Sequence, residues 1–428
     1  MPYSMNRTLF SLIVLCLSTA AFGGPEGEPA VAPLDLNACY ARALAHNERI
    51  GLASAEWRAA EARYRQARDT LLPALSLAGA AGFQNDRRID GTDSASREPE
   101  QYGAQLRAEQ VLYQGFRLTR EAEAAEARGR AAQLDERRVR ELLYLDVADA
   151  FHQVLLYEQD LVVLDKLVDA LQKTVDEQER RVTLGRSRRS ALLQAQTSLA
   201  EARVEQETSR GQEAVARELL AFLMDSPAAE WTLVNVSPFP SVPELEGKLA
   251  QAAERSDILA READAEAARR ILQATQGDRQ PEVKAEANYI LLEDPDEDRE
   301  WNVLLTFNLP LFDEGVRRAR TREQAEQVQL SELNLAALRR QAASEVRSAY
   351  LSFMTSVAQR ARLQEATEVA LASYQEQNRD YELGRATQLD ALSALAQVQR
   401  LARRAVAVDL QARLSLIGLH VAAGEKAP

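Results

Sequence analysis

The sequence predicts a mainly α-helical protein with a small β part. Two internal repeats are expected, each a long antiparallel coiled-coil hairpin preceded by a pair of transmembrane-type β-strands. Three observations carry this: two proline-free stretches of more than a hundred residues, matching glycine-marked phrases half a chain apart, and four segments of period-two alternation.

At the N-terminus, residues 1–23 place one cation, Arg7, before an apolar stretch from Leu9 to Leu17, followed by small residues. This is the pattern of a secretory signal peptide, too short for a spanning helix. A lipid-anchor motif wants a small residue just before a cysteine; Leu15 precedes Cys16, and Ala38 precedes Cys39 well beyond the apolar run. Once the signal is removed Cys39 stands alone, so no intrachain disulfide is expected. The rest of the chain divides into a first repeat at 24–236, a proline-rich linker at 237–243 (SPFPSVP) and a second repeat at 244–428.

The fourteen prolines leave two gaps, between Pro99 and Pro227 and between Pro310 and Pro428. A proline inside a helix costs about 3 kcal/mol, so such gaps, rich in Ala, Leu, Glu, Gln and Arg, predict long helices. The apolar stripe of the first runs from Leu143 through Val147, Phe151, Val154 and Leu164 to Val175. The second includes Leu330, Leu333, Ala337, Val346, Tyr350, Phe353 and Leu363. These narrow stripes on charged helices are those of coiled coils. Each gap is broken by a glycine, in RRVTLGRSRRSALLQAQ (Gly185) and RDYELGRATQLDALSALAQ (Gly384), 199 positions apart. QVLYQGFR and LPLFDEGVR carry Gly115 and Gly315, 200 apart. A period near 200 is an internal duplication. Hairpins are therefore expected at about 116–225 and 316–422. A helix of almost 70 residues is about 100 Å long, well beyond a compact domain.

Strands are expected at about 74–83 and 102–111 in the first repeat, and about 282–292 and 301–309 in the second. In the last of these Trp301, Val303, Leu305, Phe307 and Leu309 share one face, against Asn302, Thr306 and Asn308, with Leu304 an exception. Roughly ten residues of apolar-out, polar-in alternation suits an outer-membrane barrel strand, although alternation alone also suits a soluble sheet. Four strands cannot enclose a barrel with an interior, and open edges are not tolerated in lipid. If the strands lie in a membrane, several chains share one barrel.

The chain has 428 residues, 27% charged, with 52 Lys and Arg against 65 Asp and Glu, a net charge of −13. An acidic chain argues against nucleic acid as a main partner. With a mean hydropathy of −0.34 and its only long apolar run in the signal, no membrane-spanning helix is expected in the mature chain. Its three histidines and two cysteines form no local metal or redox cluster, and no nucleophile elbow or phosphate loop is present. No cofactor, metal site or catalytic residue is expected.

Four segments carry a resemblance to a known family. LDLNACYARALAHNERI, ARYRQARDTLLPALSLAGAAG, NLPLFDEG and ELGRATQLDALSALAQVQ occur in the order of the opening helix, helix-to-strand run, strand-to-helix junction and second tip turn of the TolC family of outer-membrane efflux channels. The resemblance covers about residues 34–422 and implies a homotrimer with a shared 12-stranded barrel in outer-membrane lipid and an α-helical periplasmic tunnel. It implies no enzymatic activity, and a periplasmic adaptor (membrane fusion) protein and an inner-membrane transporter as partners. In the family an acid six positions after the second tip glycine helps form the periplasmic aperture. Asp390 stands there, with Tyr381 and Arg385 flanking the turn, while Ala191 and Ser393 replace related acids. The basic first tip, with Gly185, Arg186, Arg188 and Arg189 and its counterpart Gly384, is read either as the adaptor docking surface or as ordinary solvated charge. The competing reading is a periplasmic coiled-coil structural or adaptor protein without a channel. The sequence does not name the cargo.

Overall fold

The computed structural model describes residues 32–83, 100–228, 231–234, 239, 241–292 and 301–425. The expected signal segment, the loop at 293–300, nearly all of the loop at 84–101 and residues 237, 238 and 240 of the linker lie outside these. The elements in chain order are β1 (Ala32–Leu34), α1 (Leu36–His46), α2 (Glu48–Asp69), β2 (Ala74–Phe83), β3 (Glu100–Gln114), α3 (Arg117–Thr183) and α4 (Arg189–Met224). They continue with β4 (Trp231–Leu233), α5 (Leu245–Ala252), α6 (Ser256–Gly277), β5 (Glu282–Leu292), β6 (Trp301–Asn308), α7 (Val316–Glu382) and α8 (Gln388–Ala422).

The order helix, helix, strand, strand, helix, helix occurs twice. Helices α2 and α6 have 22 residues each, and α3 and α7 have 67 each. The two long helices are each about 100 Å long at 1.5 Å per residue. Both end in a glycine turn. Gly185 has φ 70° and Gly384 φ 71°, a left-handed conformation that costs glycine nothing. Arg186 N donates to Arg181 O at 2.7 Å and Arg385 N to Asp380 O at 2.8 Å, closing the helix carbonyls in the Schellman manner.

The junctions ahead of the long helices revise the spacing read from sequence. Two consecutive residues are left-handed at each: Gly115 and Phe116 in the first half, Glu314 and Gly315 in the second. The backbone equivalent of Gly115 is therefore Glu314, not Gly315, and the offset is 199 here as at the tips. The glycine sits on different members of the pair in the two halves, which misleads an alignment on identity. Gly115 is needed sterically as well. A Cβ there would lie 2.5 Å from Gly277 O, where the α6–β5 connection crosses it.

The four long strands form one antiparallel sheet in the order β2-β3-β5-β6. β2 and β5 have the bounds that alternation predicts. β3 is longer than 102–111, because a bulge at Leu112 lets Tyr113 pair with Val283 and the strand run on to Gln114. β6 ends at Asn308, so Leu309 lies outside the strand, held before Pro310, which has no N–H to give the ladder.

The helices form a layer below the sheet. Near it the order of packing is α2-α3-α6-α7, and towards the tips it is α4-α3-α8-α7. Between α3 and α6 the contact is made by alanines, Ala124, Ala127 and Ala131 against Ala260, Ala263 and Ala267. Midway along α3 a larger core gathers Cys39, Tyr40, Leu143, Val147, Phe151, Leu220 and Trp231, with the short parallel pair β1–β4 at its edge. The Cys39 thiol is fully buried there and pushed up to about 12 by burial, so it is no surface group for a lipid anchor.

The α3 stripe packs largely as expected, with Leu143, Val147, Phe151, Val154, Leu164, Leu171 and Val175 buried. The α7 stripe does so only in its later part, where Val346, Phe353 and Leu363 are buried. Leu330 and Leu333 are 51% and 61% exposed, and Leu335 and Ala342 take the core positions beside Ile258. By length and composition α8 is apolar enough to cross a membrane, contrary to the expectation of no such helix. It is instead a coiled-coil partner of α7 carrying charges along its length. Its Arg403 reaches Asp160 of α3 at 2.6 Å.

Candidate functional site

The sheet has two chemically distinct faces. Opposed residues in an antiparallel pair share a face, so the register puts Leu75, Ala108, Ala287 and Val303 in one row and Leu77, Leu106, Tyr289 and Trp301 in the next. This face has no charge in those rows. Leu305 (65% exposed) and Phe307 (64%) lie on it, opposite Ala285 and Val283. The other face carries Arg107, Glu109, Lys284, Glu286, Asn288, Asn302, Thr306 and Asn308. Leu304, the exception to the alternation, is on this polar face opposite Glu286.

At the far end the tip turns meet inside one chain. Tyr381 Oη accepts hydrogen bonds from Gln178 Nε2 and, at 3.2 Å, from Arg181 Nη1. The Arg181 guanidinium also lies over the Tyr381 ring, 5.2 Å from its centroid, and Ser187 Oγ donates to Gln178 Oε1 at 2.8 Å. Tyr381 thus ties the end of α7 to the end of α3. Arg385 is exposed and joins this cluster only through its chain neighbours. Sequence reading missed Gln178, Arg181 and Ser187, which sit in the other hairpin some 200 positions away.

Asp390 occupies the third position of α8 and closes a capping box. It accepts from Thr387 N at 2.9 Å and Thr387 Oγ1 at 2.6 Å, while Asp390 N donates to Thr387 Oγ1 at 3.3 Å. The Thr387 hydroxyl, then its backbone N–H, holds this exposed carboxyl below its ordinary range. The T-x-x-D spacing announces such a cap. Its consequence is that Asp390 Oδ2 is engaged and only Oδ1 is left to face outward.

Arg186, Arg188 and Arg189 are exposed, and none forms an ion pair among the described residues. Leu184 (66% exposed), Leu383 (59%) and Leu389 (62%) are exposed beside them. The tip is therefore a basic surface with apolar knobs. Farther from the tip, Arg403 joins the two hairpins by bonding Asp160, which also accepts from Ser209 Oγ at 2.7 Å, and Glu205.

No curated protein sequence matches the chain. Among solved structures it is similar to a membrane protein from Pseudomonas aeruginosa (TM-score 0.84, 21% identity, covering 92% of this chain and 91% of that one). It is also similar to the outer membrane protein VceC from Vibrio cholerae (TM-score 0.81, 20% identity, 91% and 96% covered). A third is the open state of the MtrE outer membrane channel of Neisseria gonorrhoeae (TM-score 0.77, 19% identity, 91% and 89% covered). At these identities the likeness is one of fold. The sequence profile of the outer membrane efflux protein family matches residues 39–225 and 250–425. The chain belongs to the outer membrane efflux protein family.

Proposed function

We propose that three copies of this chain, each a tandem repeat, close side by side into one duct, a 12-stranded barrel in the outer membrane continued by a helical tunnel in the periplasm. Family membership makes the chain an outer-membrane efflux channel protein. One observation carries the ring. At three levels the chain is an open four-element layer with matching edges: β2 and β6 in the sheet, α2 and α7 below it, α4 and α7 towards the tips. One flank is thus β2, α2 and α4, and the other is β6 and α7.

Both flanks carry unpartnered apolar stripes. On α4 Leu193, Val204, Val215 and Phe222 fall on one helix face, at spacings of 11, 11 and 7 residues, and are 53–73% exposed. On α7 Leu333, Leu351 and Val369 recur every 18 residues and are 61–66% exposed. A head-to-tail contact of one flank with the other closes into a ring and buries both stripes. It also pairs the β6 edge with the next β2, the requirement lipid imposes on any sheet. The apolar face holding Trp301, Val303, Leu305 and Phe307 then meets lipid, and the polar face lines the lumen.

In this assembly the basic tips, with Arg186, Arg188 and Arg189 beside Gly185 and Gly384, dock a periplasmic adaptor that links the duct to an inner-membrane transporter. Asp390, Tyr381 and Arg385 surround the periplasmic aperture. The chain should fractionate with the outer membrane and migrate as a trimer in mild detergent. Recovery as a soluble periplasmic monomer would sink the duct and favour the coiled-coil structural alternative.

The aperture has its own test. Three Asp390 carboxylates at one level attract a multivalent cation added from the periplasmic side. Because Thr387 occupies one oxygen of each, and Ala191 and Ser393 add no acid, block of bilayer conductance should be weak and easily reversed. Block is expected to vanish in Asp390→Ala. Equal block in Asp390→Ala and the native protein would leave Asp390 with only its cap.

A further inference from the structure

The polar face of the sheet holds an organised cluster, and resting on the duct reading above it has a consequence for what passes. Ser76, Arg107, Asn288 and Asn302 are successive partners across all four strands, one complete row on one face. Arg107 Nε donates to Asn288 Oδ1 at 3.0 Å and lies 3.2 Å from Glu286 Oε1, and its Nη1 is 3.6 Å from Glu109 Oε1. Asn288 Nδ2 donates to Glu286 Oε1 at 2.8 Å and Asn302 Oδ1 at 3.1 Å. Arg107 is thereby held from two strands, yet its side chain is 38% exposed. Its Nη2 has no hydrogen-bond partner among the described residues. A planar guanidinium held through Nε and Nη1 with Nη2 left free is a presented cation. On the same face Lys284 pairs with Glu282 at 3.0 Å. Among the described strand residues this face thus carries two cations, Arg107 and Lys284, against three carboxylates, Glu109, Glu282 and Glu286, one net negative charge per chain.

We propose that Arg107 sets the charge selectivity of the barrel lumen. The belt favours small cations over small anions, and Arg107 is the cation that limits this preference and meets anionic groups in transit. A field of this kind reaches across a lumen only while screening is weak. The Debye length is about 10 Å at 0.1 M salt, and about 3 Å at 1 M.

The test is the reversal potential of the purified native trimer in a planar bilayer under a potassium chloride gradient, near 0.03 M and again near 1 M salt. The native protein should favour potassium. Arg107→Gln should raise the potassium-to-chloride permeability ratio about twofold or more at low salt and little at high salt. Arg107→Lys should keep the native ratio, and Glu109→Gln with Glu286→Gln should lower or invert it. Conducting Arg107→Gln channels with the native reversal potential at low salt would overturn the proposal. Should Arg107→Gln fail to assemble, Asn302→Asp adds a carboxylate to the same row, and an unchanged ratio there would overturn it equally. If the native trimer does not conduct at all, the duct reading fails, and this proposal with it.

Discussion

Arg255→Ala should be among the most destabilising single substitutions in the helical part of the chain. Arg255 is 2% exposed at the N-terminus of α6 and gathers three elements. Its guanidinium donates to Asp257 at 2.7 and 3.0 Å, to Glu345 of α7 at 2.6 Å and to Ala422 O at the end of α8 at 3.2 Å. Arg138 of α3 extends the cluster to Glu141 at 2.9 Å and to Val421 O at 3.0 Å, and Ser256 donates to Glu141 at 2.7 Å. Gly424, at φ 76°, lets the chain pass so close that a Cβ there would lie 2.6 Å from Arg255 Cγ. Removing one partner of a buried ion pair typically costs about 3–5 kcal/mol, because the other charge stays behind unpaired. Water reaches Glu345, whose side chain is 38% exposed, so the lower end of that range is expected, with Arg255→Lys between Ala and native. The loss is read from thermal unfolding of the purified protein. A melting temperature equal to the native one would show that the cluster contributes nothing.

The same cluster predicts a pH dependence. Burial pushes the Asp257 and Glu345 carboxyls up, but the bonds and charge of Arg255 more than offset this, and both sit below their ordinary values. A carboxyl depressed in the folded state stabilises it above the unfolded value, near pH 4, and loses that contribution as pH falls through the folded value. Between neutral pH and mild acid the native protein should therefore lose more stability than Arg255→Ala does.

How much of this was legible in the sequence depends on the range over which each feature is determined. The long helices follow from local facts: no proline, strong helix formers and a glycine where the chain must turn. β2 and β5 follow from period two alone. β3 does not, because Val111, Leu112 and Tyr113 are three apolar residues in a row, and only pairing with β5 reveals which of them is bulged. The break between α1 and α2 was hidden for a similar reason. Asn47 ends one helix and caps the next through Arg49 N at 3.0 Å, inside a segment that reads as one continuous helix. β1 and β4 have three residues each, too few for any periodicity.

The candidate site divides in the same way. The faces of β6 were readable, down to Leu304 as the exception. The Asp390 cap was equally readable from Thr387, although the family resemblance drew attention to the aperture instead. Gln178 and Arg181 could not be found, since nothing local says that the end of α3 lies against Tyr381. Leu330 and Leu333 looked like core because periodicity marks an apolar face without saying whether its own chain or another copy covers it.

Leu305→Arg should prevent assembly in the outer membrane, whereas Leu304→Arg, one residue earlier, should be tolerated. Hydropathy does not separate these two leucines, and both are more than half exposed in the single chain, at 54% and 65%. Register separates them. Leu305 is opposite Ala285 on the uncharged face, in the middle of an eight-residue strand. Leu304 is opposite Glu286 on the polar face, where an added guanidinium gains a carboxylate and stays in water. A cation facing lipid near the midplane costs about 2–4 kcal/mol, and three copies at one depth bring this to roughly 6–12 kcal/mol per trimer. Phe307→Arg should behave like Leu305→Arg, and Asn308→Arg, opposite Glu282, like Leu304→Arg. The measurement is the amount of trimer in the outer-membrane fraction on mild-detergent gels. Equal loss for Leu304→Arg and Leu305→Arg would mean that the sheet does not present one face to lipid and the other to water, and the barrel reading of these four strands would fall.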